Sequence, residues 1–309
     1  MASRLSALRL VDPILTSLAV GYTNEQLVAD QLMPFAYVDK EGGKIPKFGV
    51  EHFKVYNTER ALRAKSNRIV PEDIGTVDVA LDEHDLEYPI DYREDADSAL
   101  PLQARATNTV VEAIRLRHEK MVADLVQNPA SYAAGNKIAL SGTSCFSDKT
   151  NSDPEGVISD AKAAVRGKVV REPNTMVIGY TAWRALKLHP KLRAILADTR
   201  PRLMALADLR EIFEVPNIVV GKAVVASDTG ALSDIWGDNI VLAYVPNVPG
   251  AAQRSPYEPS FGYTLRKKGN PVVDTRTEDG KLELIRNTDI FRPFLLGADA
   301  GYLISNCVA

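Results

Sequence analysis

Few side chains in this sequence stand in arrangements that could do chemistry, and each is answered by its neighbours. Asp82-Glu83-His84-Asp85 sets oxygen and nitrogen donors side by side, the types that ligate Zn2+ or Ca2+. In an extended segment successive side chains point to opposite faces, so only alternate members of the quartet can converge. The stretch reads as a solvated acidic strand. Ser144-Cys145 offers a nucleophile, but no base lies near it in the sequence, and a nucleophile without an oriented base is not activated. Cys145 therefore reads as an ordinary loop cysteine. His52, His84, His118 and His189 are far apart and never in H-E-x-x-H spacing. Neither G-x-x-x-x-G-K-[ST] nor G-x-G-x-x-G after a strand occurs, which leaves a nucleotide cradle without support. No catalytic, cofactor-binding or metal-ligating residue is expected, and no cofactor.

The stronger signal is electrostatic. From Lys40 to Val70 eight basic residues stand against three acidic ones, a local charge of +5. From Glu72 to Asp97 eleven acidic residues face only Arg93, a local charge of −10. A basic ribbon can meet phosphates, but the acidic block beside it favours a protein target. Arg60, Arg63, Lys65 and Arg68 are the candidate carriers of a contact between subunits, and Glu83, Asp85, Glu94 and Asp95 the candidate receivers.

The elements that must present these charges follow from the pattern. Asp97 to about Asn128 predicts one long helix, with Pro101 near its start and Asn128-Pro129 closing it. Val111, Ile114, His118, Met121 and Leu125 draw a single apolar stripe. His118 falls on that stripe as a hydrogen-bonded packing residue, while Arg115 and Glu119 fall on the outer side. Asn24 with Glu25-Gln26-Leu27-Val28 predicts one short capped helix. Glu41-Gly42-Gly43-Lys44 is a turn signal, and Phe53 to Tyr56 and Arg60 to Val70 read as extended arms of a protruding loop. A disordered basic linker is the plain alternative.

Residues 136–255 alternate helices and strands around a core of their own. Pro154 to Val170 predicts an amphipathic helix, Asn174 to Gly179 a buried strand, Thr181 the N-cap of a helix broken near Pro190, and Pro201 the start of another. Trp183 and Trp236 read as core or interface aromatics. The last fifty residues return to strands, with Glu278-Asp279-Gly280-Lys281 as a hairpin turn. That sheet, with its closing strand Tyr302 to Val308, is the expected partner of the long helix.

Composition sets the outer bounds. The chain has 309 residues, 45% hydrophobic and 25% charged, with a net charge of −3. That is ordinary globular composition and not that of a general nucleic-acid binder. Cys145 and Cys307 alone cannot make a disulfide framework and suit a reducing compartment. Arg9 and Asp12 interrupt any apolar signal core, and no run approaches the ~20 apolar residues of a membrane span. A soluble chain made in the cytoplasm is expected.

The whole order resembles the major capsid protein of tailed bacteriophages, the Hong-Kong-97-type shell fold. The likeness extends to Asp12-Pro13, Leu15-Thr16, Gly21-Tyr22, Met33-Pro34, Lys44 to Gly49, Asn174 to Leu188, and Ile218 to Val225 followed by Trp236-Gly237-Asp238. The resemblance implies an α+β fold with an N-arm over 1–35 and an extended β-hairpin loop over 36–75. It further implies a peripheral domain over 76–135 and 256–309, with its spine helix over 97–128, and an inserted axial domain over 136–255. By the same resemblance the chain assembles with itself, as pentamers and hexamers of an icosahedral shell around phage double-stranded DNA. Its implied partners are a separate scaffolding protein, a portal and a decoration protein, with non-specific proximity to packaged DNA and no membrane. Its implied place is the virion. No charged coiled-coil segment precedes the arm, so an internally fused scaffold is not expected. Some relatives join subunits through a Lys–Asn bond; Lys54, Lys65, Asn270 and Asn287 match that arrangement by region only, and no covalent linkage is expected. The rival readings are an encapsulin-type nanocompartment and, more remotely, a two-domain soluble enzyme.

Overall fold

The computed structural model describes residues 27–46, 76–98, 101–197, 204–246 and 258–309, with positions 58–60, 62, 65, 67 and 255 between them. Along the chain, helix α1 (Ala29–Leu32) leads to strands β1 (Phe35–Val38) and β2 (Gly42–Pro46). Strands β3 (Thr76–Ala80) and β4 (Asp82–Asp91) and the short helix α2 (Tyr92–Asp97) run up to the long helix α3 (Leu102–Val126). The middle of the chain holds β5 (Lys137–Ala139), α4 (Pro154–Val169), β6 (Thr175–Gly179), α5 (Tyr180–Lys187), α6 (Pro190–Ala197) and α7 (Leu206–Phe213). It continues with β7 (Asn217–Gly221), β8 (Val224–Ala226), β9 (Leu232–Asp234) and β10 (Ile240–Ala243). Strands β11 (Gly262–Lys267), β12 (Val272–Glu278), β13 (Leu282–Leu295) and β14 (Gly301–Ser305) complete it.

Strand β13 is the axis of the first sheet. Its fourteen residues pair antiparallel with β12 and then β11 along one edge, and with β4 along the other; β1 adds parallel to β11. Strands were expected over Leu282 to Ile285 and Ile290 to Leu295; β13 runs unbroken through both. Asn287 and Asp289 are buried within the strand. At its start the chain turns through Asp279 and Gly280, both at positive φ, as the hairpin signal required.

Helix α3 packs on β4 and β13, but not through one continuous stripe. Leu102, Ala106, Val110 and Ile114 are buried in its first half; Glu119, Val122, Ala123 and Val126 are buried in its second. At 3.6 residues per turn the two sets lie on roughly opposite sides of the helix. Leu102 and Ala106 meet Ile90 and Ile285 of the sheet, whereas Val122, Ala123 and Val126 enter a core shared with Val177, Trp236, Val241 and Leu303. Val111, Met121 and Leu125 of the expected stripe are only half-buried. The helix is also shorter than expected: Ser98 is extended and separates α2 from α3. The hydroxyl of Tyr132 donates to the Val126 carbonyl at 2.7 Å and satisfies one of the acceptors left at the helix end.

The second sheet runs β5-β14-β10-β6-β7. Its β14 is the closing strand expected beside the long helix; pairing with β5 and β10 puts it here instead. The reason lies in its residues: Tyr302, Leu303 and Ile304 are buried on both sides, between α4 and the core that receives α3. Helix α4 keeps its expected span, with Ile158, Ala161 and Val165 buried. Helix α5 starts one residue before Thr181, with Gly179 at its N-cap, and a separate helix begins at Pro190.

Strands β2 and β3 pair antiparallel from Gly42↔Ala80 to Pro46↔Thr76. Gly42, Gly43 and Lys44, expected in a turn, therefore lie in a strand. This ribbon is rooted by Ile45, Val77 and Val79, which pack with Ala36, Tyr263 and Leu265 of the first sheet. The expected arms 53–56 and 60–70, the Asn24 cap and the start at Pro201 lie outside the described residues or largely so.

Candidate inter-subunit interface

The candidate receivers are placed by strand period and helix start. Along β4, His84, Tyr88 and Ile90 turn toward α3, and Glu83, Asp85 and Glu87 share the opposite, exposed face. The Asp82-Glu83-His84-Asp85 quartet is thus divided between two faces. Among the described residues no three His, Cys, Asp or Glu side chains gather as a metal site. Where β4 ends, Asp91 accepts from the Arg93 backbone N–H at 2.9 Å and starts α2. Glu94 and Asp95 occupy the first turn of α2, where negative charge meets the positive end of the helix.

Several carboxylates of β4 already have partners within the chain. Thr288 donates to Asp85 at 2.9 Å, Arg276 lies 3.6 Å from Glu87, and Arg292 lies 3.5 Å from Asp82. Across β12 and β13 Arg286 forks onto Asp274 through Nε and Nη2 at 3.0 and 2.7 Å, which holds the Asp274 carboxyl below its usual range. Of the carriers, Arg60 and Lys65 are exposed, and Arg63 and Arg68 lie outside the described residues. The ribbon β2–β3 is the root from which that basic segment leaves and returns, with Lys44 3.8 Å from Asp78 across it.

Beneath α3 lies a polar cluster that the sequence did not signal. Asp289 is buried and meets Arg266 at 2.9 Å; the Arg266 guanidinium sits 3.6 Å over the Phe35 ring. Burial pushes the Asp289 carboxyl up, and Arg266 pulls it back. His84, opposite Asp289 in register, stacks on Phe291 at 4.3 Å. His118 stacks on Phe35 at 4.8 Å, and its Nε2 lies 2.9 Å from Thr264 Oγ1. Thr264 donates to the Met33 carbonyl, so the ring nitrogen facing it carries the hydrogen. Burial first, then the nearby Arg266 charge, pushes the His118 pKa down to about 3. It is the hydrogen-bonded packing residue that its place on the helix predicted.

One residue turns the other way from its reading. Glu119, assigned to the outer side, is 1% exposed. Its Oε1 accepts from Val28 N at 3.0 Å and from Trp236 Nε1 at 2.6 Å, and its Oε2 accepts from Ala29 N at 2.9 Å. Arg115 pairs instead with Glu112 at 3.2 Å. Trp236 is buried as expected and Trp183 half-buried; the Cys145 thiol is buried against the Asn306 carbonyl. The hint of Glu119 was available in Val122, Ala123 and Val126, which mark a second apolar side next to it.

Across 302 residues the chain is 64% identical to the major capsid protein of Burkholderia phage BcepMu (isolate -/United States/Summer/2002), covering 98% of each chain. The crystal structure of a phage-related protein from Bordetella bronchiseptica RB50 superimposes with a TM-score of 0.74 at 35% identity, over 97% of this chain and 98% of that one. The capsid of Cyanophage P-SCSP1u shares the fold at 11% identity, with a TM-score of 0.58 over 92% of this chain and 89% of that one. The expected Hong-Kong-97-type fold is thereby met. With the phage major capsid protein E model matched over residues 29–306, the chain belongs to that family.

Proposed function

We propose that many copies of this chain close into an icosahedral shell that holds phage double-stranded DNA, and that the basic ribbon of one subunit docks on the acidic β4–α2 segment of its neighbour. The coarse part rests on the family: the chain is a phage major capsid protein, a structural component of the virion shell. That membership favours the virion over a cellular nanocompartment and over an enzyme. Assembly in the host cytoplasm with a separate scaffolding protein, a portal and a decoration protein belongs to the same proposal, as do an arm over 1–35, a loop over 36–75 and an axial domain over 136–255.

The observation that carries the docking is the anchored root. Because β2 and β3 are pinned to the first sheet by Ile45, Val77 and Val79, the basic segment between them starts and ends at one fixed place. The exposed acidic face lies on the strand that follows directly. Complementary charge on a projecting segment sets register and suppresses wrong partners. Single exposed pairs contribute only ~0–1 kcal/mol, so the effect must come from several pairs repeated at every contact. Electron microscopy of the purified chain, with and without a co-expressed scaffold, should show shells or capsomer rings, and filled particles should contain DNA. A stable monomer by light scattering at micromolar concentration, under both conditions, would overturn the proposal.

A further inference from the structure

Consecutive residues of α3 grip the two ends of the one-turn helix α1. At its start Glu119 accepts from Val28 N and Ala29 N, the donors a first turn leaves open. Val28, at the N-cap, has no side-chain oxygen to do this itself. At its end His118 reaches the Met33 carbonyl through Thr264 Oγ1. The same Glu119 carboxylate holds the indole N–H of Trp236, on the turn that leads into β10. Three segments far apart in sequence therefore share one buried anion.

We propose that Glu119 is a coupling latch, through which the root of the N-terminal segment and the Trp236 turn of the middle domain are held, and released, together. Glu119 borders the core that holds Val28, Ala29, Val122, Ala123, Val241 and Trp236; the charged group that acts on it is the Asp30 carboxylate, and the described residues supply no cationic partner. A carboxylate so placed is tolerated only through the hydrogen bonds that satisfy it. Withdrawing the two backbone donors would leave the charge with one indole, and the hold on Trp236 would change with it. The converse also applies: without the anion, two backbone N–H groups and the indole N–H become buried orphans. Coupling of this kind is reciprocal. The latch does not depend on how the shell contacts are arranged, so it can be tested apart from the docking proposal.

The test is a double-mutant cycle read by hydrogen exchange on peptides spanning 27–34 and, as a control, the β13 core. Trp236→Phe keeps the aromatic body and removes the donor. It should speed exchange across 27–34 by about tenfold, although residue 236 forms none of the backbone bonds being measured. In a Glu119→Leu background, which removes both acceptor oxygens, the same change should add little, because the route is already cut; a packing defect alone would add in full. Ala29→Pro supplies a second arm if Glu119→Leu fails to fold. Proline at 29 removes the N–H that meets Oε2 and, by disfavouring the α-region backbone of Val28 (φ −114°, ψ −3°), also draws the Val28 N–H off Glu119, so exchange of the Trp236 indole proton should accelerate. Unchanged 27–34 exchange in Trp236→Phe, fully additive effects in the cycle, or an unmoved indole in Ala29→Pro would each overturn the latch.

Discussion

The indole of Trp236 reaches Glu119 across 117 residues of sequence, at 2.6 Å. That bond fixes where the second sheet meets the long helix, and it explains a small residue on a neighbouring strand. Gly221 ends β7 directly against the indole: a Cβ there would lie 2.2 Å from Trp236 Cδ1.

Gly221→Ala should therefore displace the indole and weaken the Glu119 bond as well as the packing. Overpacking a filled core costs about 1–3 kcal/mol, and loss of the charged hydrogen bond adds to it. Urea unfolding of the unassembled chain should show a midpoint clearly below that of the parent. An unchanged midpoint would mean that Trp236 has room the structure does not show.

The Arg266–Asp289 pair should behave as a buried ion pair does. Asp289→Asn leaves the guanidinium in place without its anion and should cost about 3–5 kcal/mol. Replacing both, as Arg266→Met with Asp289→Leu, should recover most of that loss, since neither charge is then stranded. Equal losses from the single and double replacements, measured by denaturant titration, would contradict this account.

His118 makes stability depend on acidity. Its folded pKa is about 3, against 6.5 for an unperturbed histidine. Below pH 6.5 the unfolded chain takes up a proton that the folded chain refuses, so this contribution is present above 6.5 and is lost as pH falls toward 3. The slope is about 1.4 kcal/mol per pH unit for one such group. Burial raises Glu119 and Asp289, which act with the opposite sign. The effect of His118 is therefore isolated by comparison with His118→Gln. The stability advantage of the parent over that variant should shrink between pH 6 and pH 4; a constant difference would refute the assignment.

Much of the fold was legible because its signals are local. The Asp279-Gly280 turn and the spacing Ile158, Ala161, Val165 each fixed an element through its own residues. Long-range choices were not legible. Tyr302-Leu303-Ile304 is an apolar strand that suits either sheet, and its own pattern holds no preference between them. A single stripe was drawn along α3 because a helix commonly has one partner; here the first half faces the first sheet and the second half the core beside the second sheet. Glu119 was misplaced for that reason. Its burial is decided by Val28, Ala29 and Trp236, none of which is near it in sequence. Charge blocks are visible in composition, whereas their partners within the chain, such as Thr288 for Asp85 and Arg276 for Glu87, depend on register.

The measurement that tests the central claim most directly is a charge exchange scored by electron microscopy of the assembly products. Arg63→Glu with Lys65→Glu should block closed shells. Adding Glu94→Lys with Asp95→Lys should restore them in part, and parent shells should loosen at molar salt, where screening shortens to about 3 Å. Closed shells from the doubly reversed loop alone, in normal yield, would contradict the account and leave residues 40–70 as a solvated basic segment.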